Sequence, residues 1–218
     1  MKNFLAVDTS CGYMSVVAGK SGNVVCSFLP DCTMRHSVKL MQTVDETLEK
    51  AGLTPAECDF FASVVGAGSF TGIRIGISAM KGFALACGKP TLAITSFDVA
   101  AYNAVDGWQG DKLLCLVDAL HDTYYACGYE KGKVVLQPCY LTEAEVLALV
   151  KEGYALRACE ELPISQKIPV QTVSPVEGLK NAVLVKTQNG KTDAFGELDA
   201  LYIRKSSAEL NAQAGQSK

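Results

Sequence analysis

The hydrophobic positions of the chain alternate between two periods. Residues 4–7, 14–18 and 24–28 are short, nearly continuous apolar runs, the pattern of buried strands. GKSGN between the last two predicts a hairpin turn. The period then lengthens. Over residues 35–51, Met41, Val44, Leu48 and Ala51 recur at helical spacing with Leu40 beside them, while Lys39, Gln42, Asp45, Glu46 and Glu49 fill the other side. Gly52 supplies a stop with Pro55 beyond it, and Thr54-Pro55-Ala56-Glu57 reads as a capping box for one short turn. Residues 60–65 predict a buried strand, followed by the glycine loop of VVGAGSFTGIRIG, a helix over 73–87 and a strand over 91–95. Ser96 is expected to cap a helix running to residue 104, and AVDGWQGDK marks a boundary near 107–110.

The second half restarts the same plot. Residues 113–117 form an apolar run ending in Asp118, much as Val7 ends in Asp8. Runs at 123–130 and 134–140 flank a KGK turn, Thr142 opens a helix to residue 151, and Ser174 opens another to about 186. ALYIRK reads as the last ordered piece, before a polar tail that frays after Leu210. Two α/β lobes built on one plan, residues 1–106 and a smaller 107–218, imply a duplicated fold with Asp8 and Asp118 facing a cleft from opposite sides.

The glycine loop fits neither common phosphate signature. A P-loop needs lysine after its last glycine, where Ile73 stands, and Thr71 occupies the last glycine of a dinucleotide fingerprint. Ser69 or Thr71 serves more simply as a helix cap, although backbone N–H groups at a helix start can meet an anion. The helix that follows is apolar over most of its circumference. Gly72, Gly76, Ala79, Phe83 and Ala86 form one stripe, Ile73, Ile77, Met80, Ala84 and Cys87 a second, and only Arg74, Ser78 and Lys81 a polar strip. Such a helix is buried on two sides, either within its own lobe or against a partner helix.

Composition narrows the function. A net charge of −3 and no basic block leave little for gripping nucleic acid unaided. The nine cysteines are odd in number, lack a C-x-x-C pair and sit among apolar neighbours, so they read as reduced, buried thiols of a cytoplasmic protein. MKNFLAVDTS reads as neither a signal peptide nor a membrane span.

VDTS at residues 7–10, GAGSFTGIRIGIS at 66–78, KGFA at 81–84 and LVDA at 116–119 together resemble the TsaB (YeaZ) family of tRNA threonylcarbamoyladenosine modification. The likeness spans the first half and thins in the second. Ala67 stands where that family usually has proline, and Leu120 where arginine commonly follows Asp-Ala. The resemblance implies a two-lobed, actin-like ATPase (ribonuclease H-like, duplicated) fold. It implies TsaD, of the same fold and carrying out threonylcarbamoyl transfer, as partner, with the small ATPase TsaE joining. It places the first two helices in a four-helix bundle with TsaD, and so Met41, Val44, Leu48, Gly72, Ile73, Gly76, Ile77, Ala79, Met80 and Phe83 at the interface. The same faces would pair two copies when the partner is missing. Asp8, Thr9, Ser10, Gly68, Ser69, Thr71, Arg74 and Asp118 remain as a degenerate phosphate cleft, with ATP or ADP expected only at the joint surface of the complex. Contact with tRNA is expected through the complex, and no membrane is involved.

The residues argue against an independent enzyme. A metal-binding helix needs two histidines about one turn apart, but His36 is followed at that spacing by Leu40 and preceded by Cys32, and the other histidine is His121. A sugar- or acetate-kinase site needs a late Gly-Gly turn, which VEGLKN and TQNGKT do not supply. Asp8 and Asp118 could hold magnesium through water, yet strand-end aspartates cap turns as often. A non-catalytic subunit is therefore expected, with a self-sufficient phosphotransferase of the same fold as the alternative.

Overall fold

The computed structural model describes residues 2–103, 112–188 and 196–204. Two five-stranded sheets form the frame. The first runs β1 (Phe4–Asp8), β2 (Met14–Lys20), β3 (Asn23–Leu29), β4 (Phe60–Val64) and β5 (Thr91–Ile94), in spatial order β3-β2-β1-β4-β5. The second runs β6 (Leu113–Asp118), β7 (Thr123–Glu130), β8 (Lys133–Thr142), β9 (Ala155–Ala158) and β10 (Val170–Thr172), in order β8-β7-β6-β9-β10. The orders are identical strand for strand. In each sheet the first three strands are antiparallel neighbours and the last two join in parallel.

The helices show where the second half is reduced. Between the third and fourth strands stand α1 (His36–Ala51) in the first half and α4 (Glu143–Lys151) in the second. Between the fourth and fifth stands α2 (Phe70–Cys87), whose counterpart is only the 3-10 turn Pro163–Gln166. After the fifth strand come α3 (Ser96–Ala101) and α5 (Pro175–Thr187).

Both central strands are buried on both faces, which is why they read as unbroken apolar runs. Leu5 and Val7 pack under Leu40, Val44 and Leu48 of α1 and Ile73, Ile77 and Met80 of α2. Phe4 and Ala6 face the other way, towards Leu179, Ala182 and Val183 of α5. In the second sheet Leu113, Cys115 and Val117 meet Phe97, Ala100 and Ala101 of α3, while Leu114 and Leu116 meet Val146 of α4. The halves therefore exchange helices: α3 covers the second sheet and α5 the first. They cross at Gly178, where a Cβ would lie 2.0 Å from the Val99 carbonyl oxygen. The segment 196–204 also returns to the first sheet, with Leu201 N donating to Val65 O at 2.7 Å. The expected lobe boundary at residues 107–110 and the tail after Leu210 lie outside the described residues.

Local signals account for most element ends, with two differences. The α2 helix begins at Phe70, not residue 73, because the Ser69 hydroxyl caps it by accepting from Gly72 N. The α3 helix is capped by Thr95 rather than Ser96, through a reciprocal box with Asp98, and ends at Ala101. Of the ALYIRK piece, residues 200–204 are described and carry neither helix nor strand. By length and composition alone α2, with mean hydropathy 1.2, could cross a membrane. Its Gly72 and Gly76 face is nonetheless seated on β1 and β4.

Candidate functional site

The cleft residues are brought together, but they bind one another. Gly72 lets α2 approach so closely that a Cβ there would lie 2.0 Å from the Thr9 carbonyl oxygen, and at Gly68 one would lie 2.2 Å from that of Ser10. Ser69 N donates to Ser10 O at 2.7 Å, and the Thr9 hydroxyl donates to Gly72 O at 2.7 Å. The Ser96 hydroxyl donates to Ala67 O and lies 3.2 Å from that of Ser10. Asp8 is fully buried and takes the Ser10 N–H at 2.9 Å, the Ser10 hydroxyl at 2.7 Å and the Tyr13 hydroxyl at 3.2 Å. Burial raises its pKa, and those donors together with the field of His36 hold the rise back.

Asp118 does not stand opposite as an open ligand. Its Oδ1 accepts from Leu120 N at 2.9 Å, closing a turn in which Leu120, His121 and Asp122 all have positive φ. Glu160 is a third carboxylate, half-buried and near enough to feel the charges of Asp118 and Asp8. Burial raises its pKa, while the Cys11 thiol and Gly12 N–H donate to it and oppose the rise. Nothing in the aperiodic stretch CEELP marked Glu160 beforehand.

Between Cys11, Tyr13, Ser96, Val117, Cys159 and Glu160 lies a cavity of about 10 Å³. That is room for one water at most, whereas small-molecule sites occupy roughly 300–1,000 Å³. Asp8, the Thr9 and Ser10 hydroxyls and Ser69 N are thus committed to partners within the chain. The His36 ring is buried and its Nε2 lies 2.9 Å from Tyr13 O, tying α1 to the first loop. Among the described residues no group of three or more His, Cys, Asp or Glu could hold a metal.

The open feature is on α1 and α2. A groove of about 520 Å³ runs between them, lined by residues including Met41, Phe70, Arg74, Ser78 and Ala79. On the same two helices Val38 is 74% exposed and Leu85 86%, and Met34, just before α1, is 92% exposed. Ile75 and Ala79 are half-buried and Gly82 and Ala86 exposed, so a row of small side chains points outward. Above Phe70 the Arg74 guanidinium carbon lies 3.7 Å from the ring centroid.

A model of the family "TsaD: tRNA N6-adenosine threonylcarbamoyltransferase" matches residues 28–212. The chain belongs to the TsaD family. Its curated relatives in this family include the tRNA threonylcarbamoyladenosine biosynthesis protein TsaB of Buchnera aphidicola subsp. Schizaphis graminum, 28% identical over 64% of this chain and 66% of that protein. The TsaB of Escherichia coli is 28% identical over 59% of this chain and 55% of that protein. The match thus spans about half to two thirds of the length of these two relatives. Its fold superimposes on YeaZ from Pseudomonas aeruginosa with a TM-score of 0.70 at 21% identity, covering 93% of this chain and 100% of that one. The TsaB/YeaZ likeness and the duplicated α/β fold expected from VDTS and GAGSFTGIRIGIS are borne out.

Within this TsaD-family fold the expected interface residues divide. Val44, Leu48, Gly72, Ile73, Gly76, Ile77 and Met80 are buried inside their own lobe, so they shape the helices from beneath and offer no surface. Met41 is exposed, and Ala79 and Phe83 are half-buried. Helical periodicity revealed the apolar stripes; it was the family resemblance, not the spacing, that placed both stripes of α2 at an interface. Val38 on α1 and Gly82 and Leu85 on α2 are exposed and were not among the expected residues. Arg74 and Thr71 also lie on the exposed face of α2 and not in the cleft.

Proposed function

We propose that this chain is a non-catalytic partner of a TsaD transferase homologue in tRNA N6-threonylcarbamoyladenosine modification, and that it scaffolds and activates a complex that TsaE joins. The observation that carries this reading is the contrast between the two candidate sites: a cleft of about 10 Å³ that its own side chains fill, and an apolar groove of about 520 Å³ on α1 and α2. Exposed Val38, Met41 and Leu85 supply apolar contact area at its edge, and Ala79 and Gly82 allow a second helix pair to approach closely. Without the partner, two copies pair through the same face. ATP or ADP is held only where the complex joins, tRNA is reached through the complex, and the role is cytoplasmic.

Two titrations test this reading. The chain alone is expected to show no ATP turnover. It is also expected to capture the TsaD homologue of its own organism, with Leu85→Asp weakening capture at least tenfold. Micromolar ATP binding with turnover by the isolated chain would favour a self-sufficient phosphotransferase instead.

A further inference from the structure

A second surface feature begins at the rim of the α1/α2 groove and leads away from it. Phe70 stacks on Tyr202 with ring centroids 5.2 Å apart and planes 30° from parallel. Arg74 covers the Phe70 ring and donates from Nε to the Tyr202 hydroxyl at 2.8 Å. The chain at residues 201–204 alternates. Leu201 and Ile203 turn inward to the apolar clusters, while Tyr202 and Arg204 turn out. Arg204 then lies with its guanidinium carbon 5.2 Å from the centroid of Tyr140 and donates to the Tyr140 hydroxyl at 3.3 Å. Tyr125 continues the line 6.0 Å beyond Tyr140. The result is one strip of rings and guanidinium groups that starts on α2 and ends on β7 and β8 of the second sheet.

The lack of an acidic partner for its two arginines distinguishes this strip from ordinary surface packing. Among the described residues neither Arg74 nor Arg204 takes part in an ion pair, whereas Arg35 is paired with Asp31. Arg157 is turned to the Ala101 carbonyl and Gln171. Each guanidinium lies against a ring and gives one N–H to a tyrosine hydroxyl, which leaves its other N–H groups for an anion. Stacked aromatic rings interleaved with unpaired arginines are what single-stranded nucleic acid requires: faces for bases and fixed cations for phosphates.

We infer that the part of the strip outside the groove, Tyr202, Arg204, Tyr140 and Tyr125, is a contact surface for single-stranded RNA, with Phe70 and Arg74, which line the groove, bracing Tyr202. The choice of RNA rests on the tRNA-modifying role proposed above. A net charge of −3 makes this a local and weak site on the isolated chain, one that steers a strand already brought near by the complex.

The test uses the full chain and a fluorescein-labelled twelve-nucleotide polyuridine, followed by fluorescence anisotropy over a salt series. Binding is expected to weaken as salt rises. Tyr202→Ala or Tyr140→Ala should weaken it roughly five- to hundredfold, the range of one lost base–aromatic stack. Arg204→Lys keeps the charge and loses the planar guanidinium contact with Tyr140, so it should retain the salt slope while losing affinity. Circular dichroism identifies any variant that fails to fold, and Arg204→Lys then decides. No salt-dependent binding by the wild-type chain would overturn the RNA surface and leave the partner role intact. So would RNA binding unchanged in folded variants whose capture of the TsaD homologue falls tenfold, which would make the strip part of the protein interface. Loss of the partner role, by contrast, is read from TsaD capture and modification, and not from polyuridine.

Discussion

Gly76 and Gly82 lie on one helix, and the structure predicts opposite outcomes when each becomes alanine. A methyl at Gly76 would stand 2.6 Å from Thr9 Oγ1 and 2.9 Å from Ser63 Oγ. Neither hydroxyl is free to move. Thr9 holds Gly72 O at 2.7 Å, and Ser63 is fully buried in β4. Overpacking of this kind costs about 1–3 kcal/mol. Forcing Thr9 off its acceptor costs about 1 kcal/mol more, and alanine's better helix propensity returns about 1 kcal/mol. The net loss is about 1–3 kcal/mol. At Gly82 no heavy atom lies within 4 Å, so alanine brings the propensity gain without a clash and stabilises by about 0.5–1 kcal/mol. Urea unfolding of both variants, with unchanged slopes, measures the difference directly. A Gly76→Ala protein as stable as Gly82→Ala would refute the packing of α2 against β1 and β4, and with it the assignment of the Gly72–Gly76 face to the core.

Other outcomes follow from the same geometry. Gly82→Arg is expected to hold or raise the unfolding midpoint, since arginine also lacks glycine's helix penalty, and to weaken capture of the TsaD homologue at least tenfold in a pull-down titration. Leu48→Ala, in the core under α1, should cost about 2–5 kcal/mol in urea unfolding, while exposed Met41→Ala stays within about 0.5 kcal/mol. Glu57 is held down from 4.5 to about 2 by the Thr54 N–H and hydroxyl and by Lys20. Its folded pKa is lowered, so its contribution is complete above about pH 4.5 and disappears as pH falls towards 2. Glu57→Gln should therefore flatten the acid limb of stability in that window, as read by urea unfolding at several pH values. Burial, with neighbouring Cys87, Asp59 and Glu57, pushes the Cys58 thiol from 9.0 up to about 12. Its thiolate fraction near pH 8 is then about a thousandfold below that of a free cysteine, so mass spectrometry after native alkylation should find Cys58 unlabelled until the chain is unfolded.

Much of the fold was legible because its signals are local. The strand ending in Asp8 and the strand ending in Asp118 carry the same burial on both faces, and their apolar runs say so. The boxes at Thr54 and Thr142 capped the turns they predicted. The exchange of α3 and α5 between the sheets was not legible, because Leu179 and Phe97 look alike from sequence whichever sheet they cover. The site was harder still. Gly76 and Gly82 are the same residue in the same helix, yet one seats α2 on β1 and the other faces solvent, and only the position of Thr9 and Ser63 separates them. Likewise Arg74 belongs by spacing to the glycine loop, but the helix turns it outward onto Phe70 and Tyr202, residues far apart in the chain.

The central claim is that this chain works by completing another protein, and one reconstitution tests it. The TsaD and TsaE homologues of the same organism are mixed with unmodified tRNA, ATP and the activated threonylcarbamoyl donor, with and without this chain, and modified tRNA is counted. Product that requires the wild-type chain and falls with Gly82→Arg is the predicted result. Product formed at the same rate without the chain would contradict the account.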